Sequence, residues 1–473
     1  MRRLCCLVLS ITLATTSTAC QDSGANPAML QIAAAYAAKI AASAIFVSGR
    51  SLESVLAEEL VPTRPLEIAI RPLLKFAVDQ QLRTVTCRIG TATATAVATG
   101  NLGCVLVRPD ATAEQLRERA APGLVDSRVD PAAVDWPLGD RQPTTPPAGL
   151  DLERVRAAVA AAFVEPAGKP NVMTRAIVIV HKGRLVAERY ADGYHAAMPL
   201  PGWSMSKTLT HALLGIRIQQ AKLDPSAALP VPEWRADDDA RRRVTMADLL
   251  CMCGGLQWNE AYDRPDSDAL RMLFGSTDHA AVYAGQPRST EPGVSFCYSS
   301  GSTNLLCRVL RSTFADDREY WAFPKLSLFN RLGMRTAVLE TDPSGTFVGS
   351  SYGFASARDW ARFGQLYAND GVVDGQRLLP AGWIAAARTP HGKGNGSHGS
   401  HLWLNADPDG DGPQQREWPD LPQDLISMDG HEGQYCVVFP PQQLVVVRLG
   451  CTKNGGFGLH SLLRELLNAL RTE

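Results

Sequence analysis

The order of elements along the chain predicts an α+β protein: an antiparallel sheet built from both ends of a long C-terminal region, flanked by helices, with a mostly helical insertion between. Three observations carry this. Residues 175–191 alternate as two apolar strands around His181-Lys182-Gly183 and read as a hairpin. Residues 433–439 and 444–449 return to strand near the C-terminus. The region between them reads as mostly helical. With 473 residues and 45% apolar content, the chain can bury a large core as two or three domains or one composite one.

In chain order, residues 1–20 have the form of a signal peptide. Arg2 and Arg3 precede a short apolar run, and Ser17-Thr18-Ala19 supplies small residues for cleavage. That run is too short to span a bilayer. Cys20 follows at once, so a lipoprotein signal with a lipid anchor at Cys20 and plain secretion both fit. Export to a bacterial periplasm or its membrane is the expectation, with any membrane attachment through Cys20 alone. The apolar stretch 28–47 contains Gln31 and Lys39 and reads as a packed amphipathic helix. A break near Gly49 and an N-cap at Ser51, with Glu53 in the first turn, predict a second helix. Residues 82–108 read as short strands. Residues 21–128 thus form a helical and stranded N-terminal region of unassigned role. The five prolines of 129–149 predict a linker to a domain over 150–473. That domain opens on a helix at 151–163 and closes on one at 459–470.

The formal net charge of −1 and the absence of long charge runs give no basis for a nucleic-acid partner. Eight cysteines follow Cys20, and in an exported protein they could pair, but the sequence does not choose how. A hairpin centred on Pro440-Pro441-Gln442-Gln443 sets Cys436 opposite Val447, which disfavours a Cys436–Cys451 bridge. Cys251-x-Cys253 reads as a packed helix end rather than a metal site.

The chemistry gathers on three segments. In Gly202-Trp203-Ser204-Met205-Ser206-Lys207, a helix follows at once, so Ser204 and Lys207 lie one turn apart on one face. A lysine desolvated in a dry cleft can serve as base to a neighbouring hydroxyl. The bland alternative is a serine N-cap with a solvated lysine. Two distant segments weigh against it: Tyr298-Ser299-Ser300 before a helical run, and His431-Glu432-Gly433-Gln434 opening the late strand.

Ser-x-x-Lys, Tyr-x-Ser and His-x-Gly, in that order, resemble the serine β-lactamase and penicillin-binding-protein superfamily. The likeness is to its class C-like branch of family VIII esterases and 6-aminohexanoate-dimer hydrolases. Leu249–Glu260 and Ser356–Gly364 also fit that branch, with Gly254 where the branch carries a serine. The resemblance spans about residues 170–473. It implies that Ser204 is the acylated nucleophile, Lys207 its base and Tyr298 a proton relay. It further implies an oxyanion hole of the Ser204 and Gln434 backbone N–H groups, and no cofactor or metal. Ser300, His431 and Gly433 would contact substrate; apart from the resemblance, Trp203, Trp258 and Tyr262 read either as the lining of an apolar acyl pocket or as core. Ser300 replaces the usual Asn of the second motif, and His431-Glu432-Gly433 replaces Lys-Thr-Gly. The loss of a fixed lysine charge, with Glu432 close by, favours small esters or amides over β-lactams. A β-lactamase or D,D-peptidase, and an inactive binding protein of the same fold, are the competing expectations.

Three motifs read as decoys. Gly349-Ser350-Ser351-Tyr352-Gly353 has a nucleophile-elbow spacing but no buried strand before it, so Ser351 is expected only to line the cleft. His398-x-x-His401 lies in a Gly-rich stretch and reads as solvated, not zinc-binding. Asp407–Gly412 begins like a calcium loop, but Trp418 stands where the loop needs a glutamate.

Overall fold

The computed structural model describes residues 26–470 apart from 64, 122–129, 143–148, 167–171, 265, 394–396, 408–413, 415 and 454–455. The signal segment, Cys20 and most of the acidic Asp407–Gly412 turn lie outside the described residues.

The main sheet is antiparallel and has six strands. In spatial order they are Trp403–Leu404, Ile426–Gly430, Gln434–Phe439, Leu444–Gly450, Thr174–His181 and Arg184–Tyr190. It joins both ends of the C-terminal region, as the sequence implied. The late hairpin pairs Cys436 with Val447. The early one turns on Lys182 and Gly183, both with positive φ. The turn matches the strand twist, and Gly183 adopts it at no steric cost. Strand Ile426–Gly430 was not anticipated; its sequence Ile-Ser-Met-Asp-Gly has too few apolar residues to stand out.

Alternation along the central strands sends side chains to two cores. One face packs Val437, Phe439, Val446, Ile177 and Ile179 against the helices Leu152–Ala161 and Leu459–Asn468. The other packs Val178, Val180, Val438, Val445 and Val447 against helix Ala357–Ala368 and the helical insertion. The α+β class is therefore observed.

In the N-terminal region, helix Pro27–Phe46 lies on a four-stranded antiparallel sheet of Lys75–Asp79, Thr84–Ile89, Ala92–Ala98 and Cys104–Leu106. The helix is not amphipathic as expected. Ala34, Ala35, Ala37, Ala38, Ala41 and Ala42 are all buried, because the sheet covers one side and the C-terminal region another. Small alanine side chains permit that close approach. Ser51 caps the second helix, Leu52–Ala57, by accepting from Ser54 N–H at 3.2 Å. Of the proline-rich stretch, residues 130–142 are tied to helix Ala357–Ala368: Arg362 donates to the Pro137 and Gly139 carbonyls and stacks on Trp136. Among the described residues no cysteines are paired; Cys251 closes the helix Met246–Leu250.

Candidate active site

Ser204 sits in a single tight turn, Trp203–Met205, that runs into helix Ser206–Gln219. Trp203 has φ = 49°, a left-handed conformation that costs an aromatic residue about 1–3 kcal/mol. Neighbouring bonds hold it there. Ser206 Oγ donates to the Trp203 carbonyl at 2.6 Å and accepts from Gly353 N–H at 2.8 Å, while Gly202 N–H reaches the Gly353 carbonyl at 2.8 Å. A Cβ on Gly202 would lie 2.2 Å from the Trp360 ring, so only glycine fits before the turn. Ser204 is not a cap: the helix has no side-chain N-cap bond, and the Ser204 hydroxyl pairs with Lys207 instead.

Lys207 is 2% exposed. Its ammonium donates to Ser204 Oγ, Ser300 Oγ and the Ser350 carbonyl, each at 3.0 Å, and lies 4.8 Å from the Tyr298 ring centre. Burial pulls its pKa down to about 8; the Glu260 carboxylate works in the opposite sense. Tyr298 stands before helix Ser300–Arg311, stacked on Trp403 and edge-on to His398. Burial and Glu260 push its phenol upward, opposed by hydrogen bonding with Ser204, so it is a proton donor at neutral pH.

The third segment closes the site. A Cβ on Gly430 would lie 2.1 Å from the Gly202 carbonyl oxygen, so the strand leading to His431 runs directly against the turn that carries Ser204. His431, 38% exposed, lies between Trp203 (centroids 5.5 Å, edge-on) and Tyr262 (5.2 Å, stacked). Glu432 does not act as a bare acid beside it: its carboxylate pairs with Lys453 and accepts from Cys451 Sγ at 3.2 Å. Gly433 has φ = 80° and no room for a Cβ, which would meet Arg448 at 2.5 Å. The buried Gln434 carboxamide bonds both the N–H and the carbonyl of Gly450, fixing where its strand begins. Trp258 packs edge-on against Tyr283 and donates to Glu260 at 2.6 Å.

Ser204, Lys207, Tyr298, Ser300, Trp203, His431, Gly433 and Gln434 thus lie within one neighbourhood, and Trp258 joins it through Glu260. Sequence reasoning passed over two members. Glu260 ends the Trp258-Asn-Glu segment and accepts from both the N–H and the hydroxyl of Ser300. Ser350, inside the Gly-x-Ser-x-Gly decoy, gives its carbonyl to Lys207. A backbone acceptor leaves no mark in sequence.

The decoys resolve physically. Ser351 is buried, bonded to Ser350 Oγ at 2.9 Å, and lines a narrow, partly open pocket with Lys39, Ser43 and Trp203. His398 and His401 are buried, not solvated as expected. Burial pulls His398 down to about 3, and His401 bonds the Leu250 carbonyl and Thr303. No cluster of three metal-ligating side chains occurs among the described residues.

A strained turn presenting Ser204, a buried Lys207 beside it and a six-stranded antiparallel sheet behind them define a β-lactamase-type fold, and the chain belongs to the Beta-lactamase family: that family's model matches residues 159–467. A 6-aminohexanoate-dimer hydrolase from Paenarthrobacter ureafaciens is 24% identical over 300 residues, 52% of this chain and 73% of that one. A family VIII carboxylesterase structure superposes with a TM-score of 0.51 at 16% identity over 67% of this chain and 97% of the other. A class C β-lactamase gives 0.51 at 14% identity over 70% and 100%. Residues 26–158, including the whole N-terminal sheet, lie outside the family match.

Proposed function

We propose that this protein is an exported serine hydrolase that cleaves small esters or amides through an acyl-enzyme on Ser204. The observation that carries this is the placement of Lys207: buried, 3.0 Å from Ser204 Oγ, and with its charged form disfavoured by burial. Neutral Lys207 takes the Ser204 proton as Oγ attacks the substrate carbonyl. The backbone N–H groups of Ser204 and Gln434 receive the developing oxyanion, each contributing about 3–4 kcal/mol. Tyr298 passes its proton to the departing alcohol or amine and recovers one from Lys207. Water then attacks the ester by the reverse relay. No cofactor enters. His431 in place of a fixed cation favours uncharged acyl groups between Trp203 and Tyr262, and the 6-aminohexanoate-dimer hydrolase likeness supports an amide or ester substrate.

Labelling with a serine-reactive fluorophosphonate, followed by peptide mapping, tests the reading. Modification at Ser204 is expected. Modification at Ser351 places the nucleophile elsewhere, and no modification points to a binding protein.

A further inference from the structure

The surroundings of Lys207 raise a question of direction. A protonated lysine has three donors, and three acceptors surround it. The neutral base has two donors and one lone pair, and only one arrangement activates Ser204: both N–H bonds must go elsewhere. The Ser350 carbonyl can only accept. Ser300 Oγ could donate or accept, and if it donated it would occupy the lone pair and disarm the base.

We infer that Glu260 is a positioning residue that aims the Lys207 lone pair at Ser204 by claiming the Ser300 proton. This rests on the reading of Ser204 and Lys207 as nucleophile and base. Four donors converge on the Glu260 carboxylate: Ser300 N–H at 2.8 Å and Trp258 Nε1–H at 2.6 Å on one oxygen, the Ser300 hydroxyl and Tyr262 OH at 3.3 Å on the other. An ionised carboxylate accepts all four, whereas a carboxylic acid or an amide cannot. With its single proton committed to Glu260, Ser300 Oγ offers only lone pairs to Lys207. Ser300 and Ser350 then hold both N–H bonds of the neutral amine, and Ser204 receives the lone pair. No proton crosses from Glu260 in this scheme.

Glu260→Gln is nearly isosteric and breaks this in a determined way. The two fixed N–H donors require the amide oxygen on their side. The amide NH2 is then turned to Ser300 Oγ, which must accept from it, and the Ser300 proton leaves the carboxylate for Lys207 or the Tyr262 hydroxyl beside it, so Ser300 no longer offers Lys207 lone pairs alone.

The experiment is the rate of Ser204 phosphonylation against pH for wild type, Glu260→Gln, Ser300→Ala and the double variant, with thermal melts alongside. The expected result is a plateau rate lowered about tenfold to a hundredfold in Glu260→Gln, an acid limb moved to lower pH because the carboxylate no longer favours the ammonium, and no further loss when Glu260→Gln is added to Ser300→Ala. The groups facing Lys207 are Glu260, Tyr298, His398 and His401; those facing Glu260 are Tyr262, Tyr298 and Cys297. Burial holds both histidines neutral and pushes the phenols and the thiol upward. Asp429, which burial pushes up to about 7, faces Tyr298, and His431 stacks on Tyr262. Asp429→Asn and His431→Gln profiles identify any limb that belongs to those groups. An unchanged plateau or an unmoved limb in Glu260→Gln overturns the inference, and a lowered melting temperature with an unmoved limb makes Glu260 merely structural. If instead Ser204→Ala is still labelled at the wild-type rate, it is the nucleophile assignment that fails.

Discussion

Two lysines of this protein are each 2% exposed and have opposite surroundings. Lys39, on the N-terminal helix, contacts the Glu340 carboxylate directly, bonds Ser43 Oγ at 2.9 Å and lies 3.9 Å over the Tyr352 ring. Glu340 in turn accepts from Ser43 and from Cys104 N–H at 2.7 Å. Lys207 donates to two hydroxyls and a carbonyl and lies over the Tyr298 ring, and its nearby carboxylate, Glu260, is held off by Ser300. A buried cation in contact with an anion has its charge compensated and becomes a structural tie. A buried cation among neutral oxygens has its desolvation opposed only weakly and becomes a base. The first lysine joins the N-terminal region, outside the family match, to the family domain. The second, in the function proposed above, carries the chemistry.

The contrast is sharpest if the two substitutions act on different properties. Lys207→Ala is expected to slow Ser204 phosphonylation about 10⁴-fold and to leave the unfolding midpoint in urea unchanged or raised. Lys39→Met is expected to do the reverse. It strands Glu340 as an unpaired buried charge and costs about 3–5 kcal/mol in urea unfolding, while labelling of the remaining folded protein stays near wild type. A Lys39→Met protein of wild-type stability would break the comparison.

The third prediction concerns pH. The folded-state pKa of Lys207, about 8, lies below that of an unfolded lysine. Below pH 8 both states are protonated, and the native state bears the full penalty of a buried charge. Above pH 8 the unfolded chain binds the extra proton, so wild-type stability rises with pH until about 10.5, by about 3 kcal/mol from this group. Unfolding free energies of wild type measured against Lys207→Met from pH 7 to 10 should show the wild type gaining on the variant. A constant difference would mean that Lys207 is not desolvated.

Much of the site was legible because its chemistry uses side chains at short, regular spacing. Ser204 and Lys207 are one helical turn apart, Tyr298 lies just before helix Ser300–Arg311, and His431 lies in the turn just before strand Gln434–Phe439. The two hairpins were legible from alternation, down to the Cys436–Val447 pairing. Strand Ile426–Gly430 was hidden because its serine, aspartate and glycine interrupt the apolar pattern; the glycine is there for close approach to Gly202. Helix Pro27–Phe46 was legible as a helix but not as a central one, because alanine is equally at home on one buried face or several. Glu260 was hidden because a carboxylate that accepts from a hydroxyl 40 residues away has no spacing rule. The burial of His398 and His401 was hidden because glycines around them suggested an open loop, whereas Tyr298, Trp403 and helix Ser300–Arg311 cover them.

The smallest expected effect is at Ser351. It sits one residue from the carbonyl that holds Lys207, in a motif that imitates a nucleophile elbow, yet its hydroxyl bonds Ser350 Oγ and lines the narrow pocket beside Lys39. Ser351→Ala removes one neutral hydrogen bond, about 1 kcal/mol, and leaves the backbone of Ser350 in place. Phosphonylation of Ser204 should change less than about twofold, an amount below 0.5 kcal/mol in the barrier. A larger loss, with unfolding free energy intact, would mean that the wall between the two lysines is shared. The Lys39 cavity would then belong to the active site, and the division between structural and chemical lysine would have to be drawn elsewhere.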